Sequence, residues 1–246
     1  YYANSLAYLN IENFNLKSCT NMYGMFTSCT SLTSLNVSNM NTKNVKRMDS
    51  VFEKCTKLTS LDLSNFSTNS ATTFYYMFNG CSSLIELDCS SFVTNNVDSM
   101  GGMFNGCSSL KSLKISNFNT ENVSSMNNMF RGCVSLTSLD VENFSGNKIS
   151  NIDSMFEDCQ KLTSLNLRNF NANPRSMTTM FANCYSLEYL NVQLLKNDDV
   201  LYPYKIFENC HSIKSLDLSS FTMTRSKNLM SMFRNCYSLE SVDLSN

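Results

Sequence analysis

Apolar residues return to the same positions of this chain about every 26 residues. The clearest copy of the unit covers residues 103–126; it opens with Met103-Phe104 and continues to Cys107. The cysteine recurs at intervals of 26 residues, with a single interval of 25, at Cys29, Cys55, Cys81, Cys107, Cys133, Cys159, Cys184, Cys210 and Cys236. A fixed period of this length is typical of a solenoid, in which each repeat stacks on its neighbours.

Two apolar spacings alternate inside each unit. The first steps by three residues or one and predicts the buried face of a short helix, as in Val97, Met100, Met103, Phe104 and Cys107. The predicted N-caps of this helix are Asn44, Asn96 and Asn122. A glycine or asparagine often precedes the cysteine and tolerates the left-handed conformation that ends a helix. The second spacing, L-x-x-L-x-L, alternates like a short strand.

These elements predict an α/β leucine-rich-repeat solenoid of about nine repeats, with residues 1–246 as a single domain. Parallel strands stack about 4.8 Å apart, whereas helices are about 10 Å across. We therefore expect an arc with the strand ladder on its concave side and short helices on its convex side. Neither end carries the polar cap typical of solenoids, so we expect a fragment of a longer array.

The motif itself resembles a known family. Residues 55–66 read Cys-x-x-Leu-Thr-Ser-Leu-Asp-Leu-Ser-Asn-Phe, and residues 123–130 read Val-x-x-Met-x-x-Met-Phe. This pattern is similar to the BspA-like leucine-rich repeat surface proteins of host-associated bacteria and some parasitic protozoa. The resemblance implies display on a cell surface or secretion, and adhesion to host or matrix components without shared catalytic residues. Most leucine-rich repeats have a buried asparagine ladder where this chain has phenylalanine, which leaves the hydrogen bonding of the turn open.

Composition argues against several classes of function. Nineteen basic and twenty acidic residues give a net charge of −1, which is no footprint of nucleic-acid binding. No apolar run is long enough to span a bilayer. A single histidine, with no G-x-S-x-G motif and no phosphate-binding glycine loop, leaves little from which to build a catalytic site. We therefore expect a protein that is not an enzyme and that has no resident cofactor.

The cysteines are best interpreted as a structural ladder of buried thiols. The total of eleven is odd, and Cys19 and Cys89 also stand in apolar positions. Disulfides between adjacent repeats are the alternative, but parallel side-chain directions make that geometry poor. Metal binding is less favoured still, because the chain has no C-x-x-C motif.

Two groups of residues are the candidate ligand-binding sites. The first is an outward stripe between the last two leucines of each strand, whose acidic members are Asp62, Asp88, Asp140, Asp217 and Asp243. Neighbouring carboxylates of this stripe either stay solvated or share a cation such as calcium. The second is a tyrosine cluster in the most irregular unit, formed by Tyr185, Tyr189, Tyr202 and Tyr204. Tyrosine is enriched at recognition sites, although these side chains could instead cover a misfit core.

The leading functional hypothesis is a cell-surface binding or adhesion module that recognises a host or matrix protein or glycan along its repeat face. The alternative is a structural repeat that forms an extracellular fibre, sheath or spacer. Uncapped ends would favour end-to-end self-association in that case. An enzyme is the third and least supported class.

Overall fold

The protein forms a stack of similar rungs, one for each sequence repeat. The structure, a computed structural model, describes residues 3–11 and 13–245. Residues 1, 2, 12 and 246 of the predicted single domain lie outside the described residues. Six short strands are present: β1 (Glu86–Asp88), β2 (Ser112–Lys114), β3 (Ser164–Asn166), β4 (Tyr189–Asn191), β5 (Ser215–Asp217) and β6 (Ser241–Asp243).

The strands pair in parallel, as the repeat predicts. They form three two-stranded sheets, β1–β2, β3–β4 and β5–β6. In the first sheet, Leu87 lies opposite Leu113 and Asp88 lies opposite Lys114. The central residue of each strand points inward and its two neighbours point outward, so the alternation of the L-x-L segment is confirmed. The outward side of this ladder is called the strand face below.

The predicted helices are wrong: the described residues contain no helix. The segment from Met100 to Cys107 is instead a chain of tight turns, in which N–H groups bond to the carbonyl three residues earlier. The intervening N–H groups point along the stack, as when Phe104 donates to the Met129 carbonyl at 2.9 Å. Turns of three residues bury positions at the same spacing as one helical face, so the apolar pattern alone does not distinguish the two structures.

Left-handed residues make these turns possible. The residue before each ladder cysteine has a positive φ, as predicted, with 70° at Gly106 and 62° at Asn209. A second left-handed residue stands four positions earlier, as at Gly102 and Asn128. The asparagines predicted as N-caps instead donate side-chain hydrogen bonds to the preceding rung. Asn122, for example, donates its side-chain amide to the Asn95 carbonyl of the preceding rung at 2.8 Å.

The curved stack with a concave strand face stays a prediction, because its expected cause is missing. It depended on helices being wider than strands, yet hydrogen bonds join successive rungs on the turn side as well as at the strands. Isolated parallel bridges link Asn21 to Arg47, Arg47 to Thr73 and Thr73 to Ser99 on that side. Rungs are therefore joined on both sides of the stack, and the described residues lack the helices that were expected to widen one side.

The core between the two sides is buried and rich in aromatic side chains. Phe78, Phe104 and Phe130 stack with ring centroids 5.7 and 5.8 Å apart, and all three are fully buried. A second stack, which includes Phe92 and Phe118 at 6.4 Å, fills the turn that follows each strand. Offset aromatic pairs at such distances stabilise the fold beyond the area that they bury. The phenylalanine positions of the repeat are thus core positions.

A buried threonine ladder supplies the hydrogen bonds of that turn. Its members are Thr42, Thr68, Thr94 and Thr120, which are at most 2% exposed. Each hydroxyl donates to a backbone carbonyl of the next rung, and the last three also accept an N–H from the same residue. The ladder stands two residues after the phenylalanine position of the repeat, and these four repeats have threonine there instead of asparagine.

Candidate functional site

The acidic stripe lies on the strand face and has a structural task there. One side-chain oxygen of each acidic member accepts a hydrogen bond from the backbone N–H two residues later, with N···O distances of 2.9 to 3.2 Å. The contributing residues are Asp62, Asp88, Asp140, Asp217 and Asp243. Such turns bend the chain away from the strand. The stripe is therefore fixed in place through one oxygen of each carboxylate, and the second oxygen of Asp88 pairs with Lys114.

Hydrogen bonds keep several of these carboxylates ionised. The Lys114 ammonium, which lies 2.8 Å from Asp88, and the two groups of Ser90 lower the pKa of the Asp88 carboxyl to about 2. The neighbouring serine in each turn lowers the pKa of Asp62, Asp217 and Asp243 in the same way. Hydrogen bonds that favour the charged form always act in this direction. The strand face thus carries fixed negative charge at neutral pH.

Serine side chains leave a shallow trough beside the stripe. Two adjoining depressions share Ser60 and Asp62, one reaching to Tyr8 and the other to Asp88 and Ser91. We call this continuous surface the strand-face trough. A third depression lies further along the same face, between Tyr189 and Asp217.

No ready-made cation site accompanies the stripe. Among the described residues, no group of three or more His, Cys, Asp or Glu side chains is placed to hold a metal ion. Asp217 and Asp243 lie opposite each other in the β5–β6 register, and the charge of Asp243 opposes the lowering of the Asp217 pKa. Lys114 interrupts the acidic run by pairing with Asp88. Calcium binding stays a prediction for the two carboxylate pairs.

The four candidate tyrosines do not form one cluster. Tyr189 stands in β4 on the strand face, with 55% of its surface exposed. Tyr185 stacks on His211 at a centroid distance of 4.9 Å, and His211 contacts Tyr237 at 5.0 Å. Tyr202 and Tyr204 line a separate depression with Asp153, Ser176 and Thr178. The sequence prediction failed because residues close along the chain occupy different sides of a rung.

Tyr8 is a strand-face residue that sequence reasoning missed. It borders the trough and is 73% exposed. The repeat contains the signal, because Tyr8 precedes Ser34 by 26 residues and therefore holds the same slot as Ser34 and Ser60. Tyr189 holds that slot in β4, where most units have serine. Exposed tyrosines thus replace serine at two places along one face.

The cysteine ladder lies in the interior and carries no disulfide. All eleven cysteines are free thiols, and those of the ladder from Cys29 to Cys210 are buried. Cys107, for instance, donates its Sγ–H to the Phe78 carbonyl of the preceding rung at 3.2 Å. Burial raises the pKa of Cys107 to about 12, so the thiol stays protonated. These residues stabilise the stack and are removed from any surface chemistry.

Several solved structures are similar to this chain. A T. pallidum leucine rich repeat protein is 16% identical, with 70% of each chain covered and a TM-score of 0.41. A leucine rich cell surface protein from Faecalibacterium prausnitzii is 17% identical, with 89% of this chain and 74% of the other covered, and a TM-score of 0.41. A Bacteroides ovatus leucine-rich repeat protein is 16% identical, with 91% and 78% covered and a TM-score of 0.29. All three are described as leucine-rich repeat or leucine-rich proteins.

A family match covers the chain from end to end. None of the curated proteins matches its sequence. The described residues contain no helix that is long and apolar enough to cross a membrane. The repeat family whose description reads "Mycoplasma protein of unknown function, DUF285" matches residues 1–113, 83–194 and 175–246. Because these overlapping matches leave no part of the sequence uncovered, the chain belongs to that family.

Proposed function

We propose that this chain is a non-catalytic binding module, displayed on a cell surface or secreted, that adheres to a host or matrix protein or glycan. The observation that carries the proposal is the strand-face trough, an open and continuous polar surface from Tyr8 to Ser91. An open trough suits an extended macromolecule better than a small substrate, since small-molecule sites are concave and bury most of their ligand.

The rungs hold the trough residues in fixed positions. Each carboxylate of the acidic stripe is tied to the turn that follows it, and the core behind it is packed with stacked phenylalanines. A partner therefore meets a surface that has little conformational freedom left to lose. Pre-organisation of this kind contributes to affinity because less ordering is needed on binding.

The chemistry of the trough favours polar contacts with an aromatic anchor. Ser60 and Ser91 offer hydroxyl groups, and Asp62 and Asp88 offer carboxylate oxygens. Tyr8 supplies an exposed ring at one end. No resident cofactor is required for such contacts. Whether Asp62 and Asp88 share a calcium ion on binding is tested by the experiment below.

Binding of the 246-residue chain to an array of glycans and extracellular-matrix proteins, with and without calcium, tests the proposal. Ser60→Arg places a long side chain in both parts of the trough and should abolish capture. Ser138→Arg is the matched control, because Ser138 holds the same slot three units later and lines neither part of the trough. The double change Asp62→Asn and Asp88→Asn keeps the turn acceptors, so its effect reports charge or calcium alone.

Capture that survives Ser60→Arg unchanged would remove the trough from the mechanism. Equal loss in the Ser138→Arg variant would point to general damage to the strand face instead. Absence of capture on every array would contradict the binding function itself.

A structural role is the second candidate, and one feature of the described residues favours it. Leu229 and Leu244 are 52% and 58% exposed, although the equivalent positions Phe74 and Leu218 are buried. Both side chains lie in the last described rung, where either a further rung of a longer array or a second copy of the chain would bury them. Sedimentation velocity over a range of concentrations measures the effect: growing linear oligomers support the structural role, and a constant monomer contradicts it.

A further inference from the structure

A second surface, on the turn side of the stack, combines aromatic and charged side chains from successive rungs. We call it the Tyr–Arg patch; it consists of Tyr23, Arg47, Asp49, Thr73 and Tyr75. The parallel bridges from Asn21 to Arg47 and from Arg47 to Thr73 align these rungs. Tyr23, Asp49 and Tyr75 follow one another in a single column, so the two rings stand two rungs apart, or about 10 Å. The patch shares no residue with the strand-face trough.

Arg47 is held at the centre of the patch from two directions. Its guanidinium lies over the Tyr23 ring, with 5.2 Å between Cζ and the ring centroid. Its Nε donates to Asp49 Oδ2 at 3.0 Å, and Asp49 Oδ1 accepts from the Thr73 hydroxyl at 2.6 Å. The Asp49 side chain is only 9% exposed, whereas that of Arg47 is 54% exposed. Asp49 therefore acts as a buried support that fixes an exposed cation.

The outer edge of this guanidinium has no internal partner. Within residues 3–11 and 13–245, neither terminal nitrogen of Arg47 makes a hydrogen bond to the protein. Two parallel N–H donors on a planar group match the two oxygens of a carboxylate. The free edge of this fixed arginine therefore has the geometry to donate two hydrogen bonds to a carboxylate from outside the chain.

Tyr75 is held by contacts with Tyr76 and with the next rung. Its ring lies 4.1 Å from that of Tyr76, and both occupy space left by the next rung's two glycines. A Cβ on Gly102 would lie 2.0 Å from a Tyr76 ring carbon, and one on Gly101 would lie 3.0 Å from a Tyr75 ring carbon. The Tyr76 side chain and burial raise the pKa of Tyr75 to about 12, so its hydroxyl remains protonated at neutral pH.

The surroundings favour a sugar over a protein partner. Protein interfaces have an apolar core inside a polar rim, whereas the columns beside Tyr75 continue with Ser99, Gly101, Ser125 and Asn127. Exposed aromatic rings stack on the C–H faces of pyranoses, and the hydroxyl and amide groups suit sugar hydroxyls. Residues 1–57 contain six basic and three acidic side chains in a chain whose net charge is −1, which favours an anionic ligand.

We propose that the Tyr–Arg patch binds an acidic carbohydrate: the Arg47 fork takes the carboxylate of a uronic-acid-type pyranose, and Tyr23 and Tyr75 take the flanking sugars. This inference rests on the proposed binding function and names a ligand class for a surface other than the trough. The sugar carboxylate would complete the hydrogen bonding of Arg47 without displacing Asp49.

Isothermal titration calorimetry of the 246-residue chain with oligogalacturonic acid tests the inference. The neutral control ligand is the methyl ester of the same oligosaccharide, which should bind at least about tenfold more weakly because it cannot form the charge-assisted pair. Arg47→Gln should weaken binding of the acid by about tenfold to a hundredfold. Arg47→Lys keeps the charge without the fork and should recover only part of that loss.

The chain offers a matched control arginine. Arg225 pairs with Asp199 at 3.0 Å and is similarly exposed, and the described residues place no aromatic ring against it. Arg225→Gln should therefore leave the affinity unchanged. An equal loss in this variant, or equal competition by hexaglutamate peptide, would show that only general charge attraction operates and would overturn the inference.

Either of the two binding proposals can be refuted while the other stands. The trough variant Ser60→Arg should leave binding of oligogalacturonic acid intact, and Arg47→Gln should leave capture by the trough intact. No measurable binding of the acid by the native chain, or unchanged affinity after Arg47→Gln with a native circular-dichroism spectrum, would refute the patch without affecting the trough. Equal loss of both activities in both variants would also overturn the assignment of two separate sites.

Discussion

Replacing Thr94 with valine tests how much the threonine ladder contributes to the stack. Thr94 is 2% exposed, and its hydroxyl joins both backbone groups of Asn119. It donates to the Asn119 carbonyl at 2.8 Å and accepts the Asn119 N–H at 2.7 Å. Valine has nearly the same shape, so the change removes two hydrogen bonds and leaves the packing volume almost constant.

The expected loss follows from these two bonds. A neutral hydrogen bond contributes about 1 kcal/mol net, and an abandoned buried partner costs about 1–3 kcal/mol. Asn119 is only half-buried, so water can reach part of what Thr94 releases. We therefore expect the free energy of unfolding to fall by about 2 kcal/mol. For a chain of this size, this corresponds to a melting temperature lower by about 4–8 °C.

Thermal unfolding followed by circular dichroism measures the effect, and hydrogen exchange at the Asn119 amide should accelerate in the variant. Thr94→Ser keeps the hydroxyl and should lose less stability than Thr94→Val. Thr59→Val is the exposed control and should change stability by less than about 0.5 kcal/mol. If Thr94→Val were as stable as the native chain, the ladder would be a by-product of packing and the reasoning above would be refuted.

Three further predictions concern the core and the strand face. Phe104→Ala removes a ring stacked on both sides and should lower the free energy of unfolding by at least about 3 kcal/mol in urea titrations; a loss below about 1 kcal/mol would contradict the tight core. Ellman's reagent should modify Cys19 and Cys236 rapidly, since both are only half-buried, and the other nine thiols only after unfolding; rapid reaction of more than two thiols in the native protein would be inconsistent with this burial. Lys114→Gln should raise the pKa of Asp88 from about 2 toward its usual range in a carboxyl NMR titration, because the ammonium is the largest cause of the lowering. The stability that the charged Asp88 contributes is present above the unfolded pKa of about 4 and is lost as pH falls toward 2, so Lys114→Gln should flatten the pH dependence of unfolding in this interval.

The repeat could be predicted from sequence because its apolar positions are set by burial. Cys107, Phe104 and Leu113 recur at fixed positions, and each lies in the core with at most 8% exposure. The turn segment could not be assigned correctly from the same information. A helix and a chain of three-residue turns bury nearly the same positions, and the difference lies in where the alternate N–H groups point. Gly102, whose left-handed φ of 60° opens the second turn, was the local signal against a helix.

The candidate site, like the fold, could be predicted from the sequence only in part. The outward stripe was located correctly because alternation within L-x-L fixes which side chains leave the strand. The tyrosine cluster was not, since it was inferred from closeness along the chain. Tyr185 and Tyr202 are 17 positions apart, which places them on different sides of a rung. Tyr8 and Tyr189 are far apart in sequence yet occupy the same slot of the repeat, and this is the relation that predicts a shared face.

The replacement of helices by turns changes how such a protein can recognise partners. Hydrogen bonds join successive rungs along the turn side and pair the strands within each of the three sheets. An outward slot of the repeat therefore forms a column with one side chain per rung on either side. Serine, tyrosine and glutamate already share one strand-face slot at Ser60, Glu86 and Tyr189 without disturbing the buried leucines beside them. Recognition can therefore vary column by column while the core stays constant. The two surfaces proposed above, the trough and the Tyr–Arg patch, are two uses of that one property.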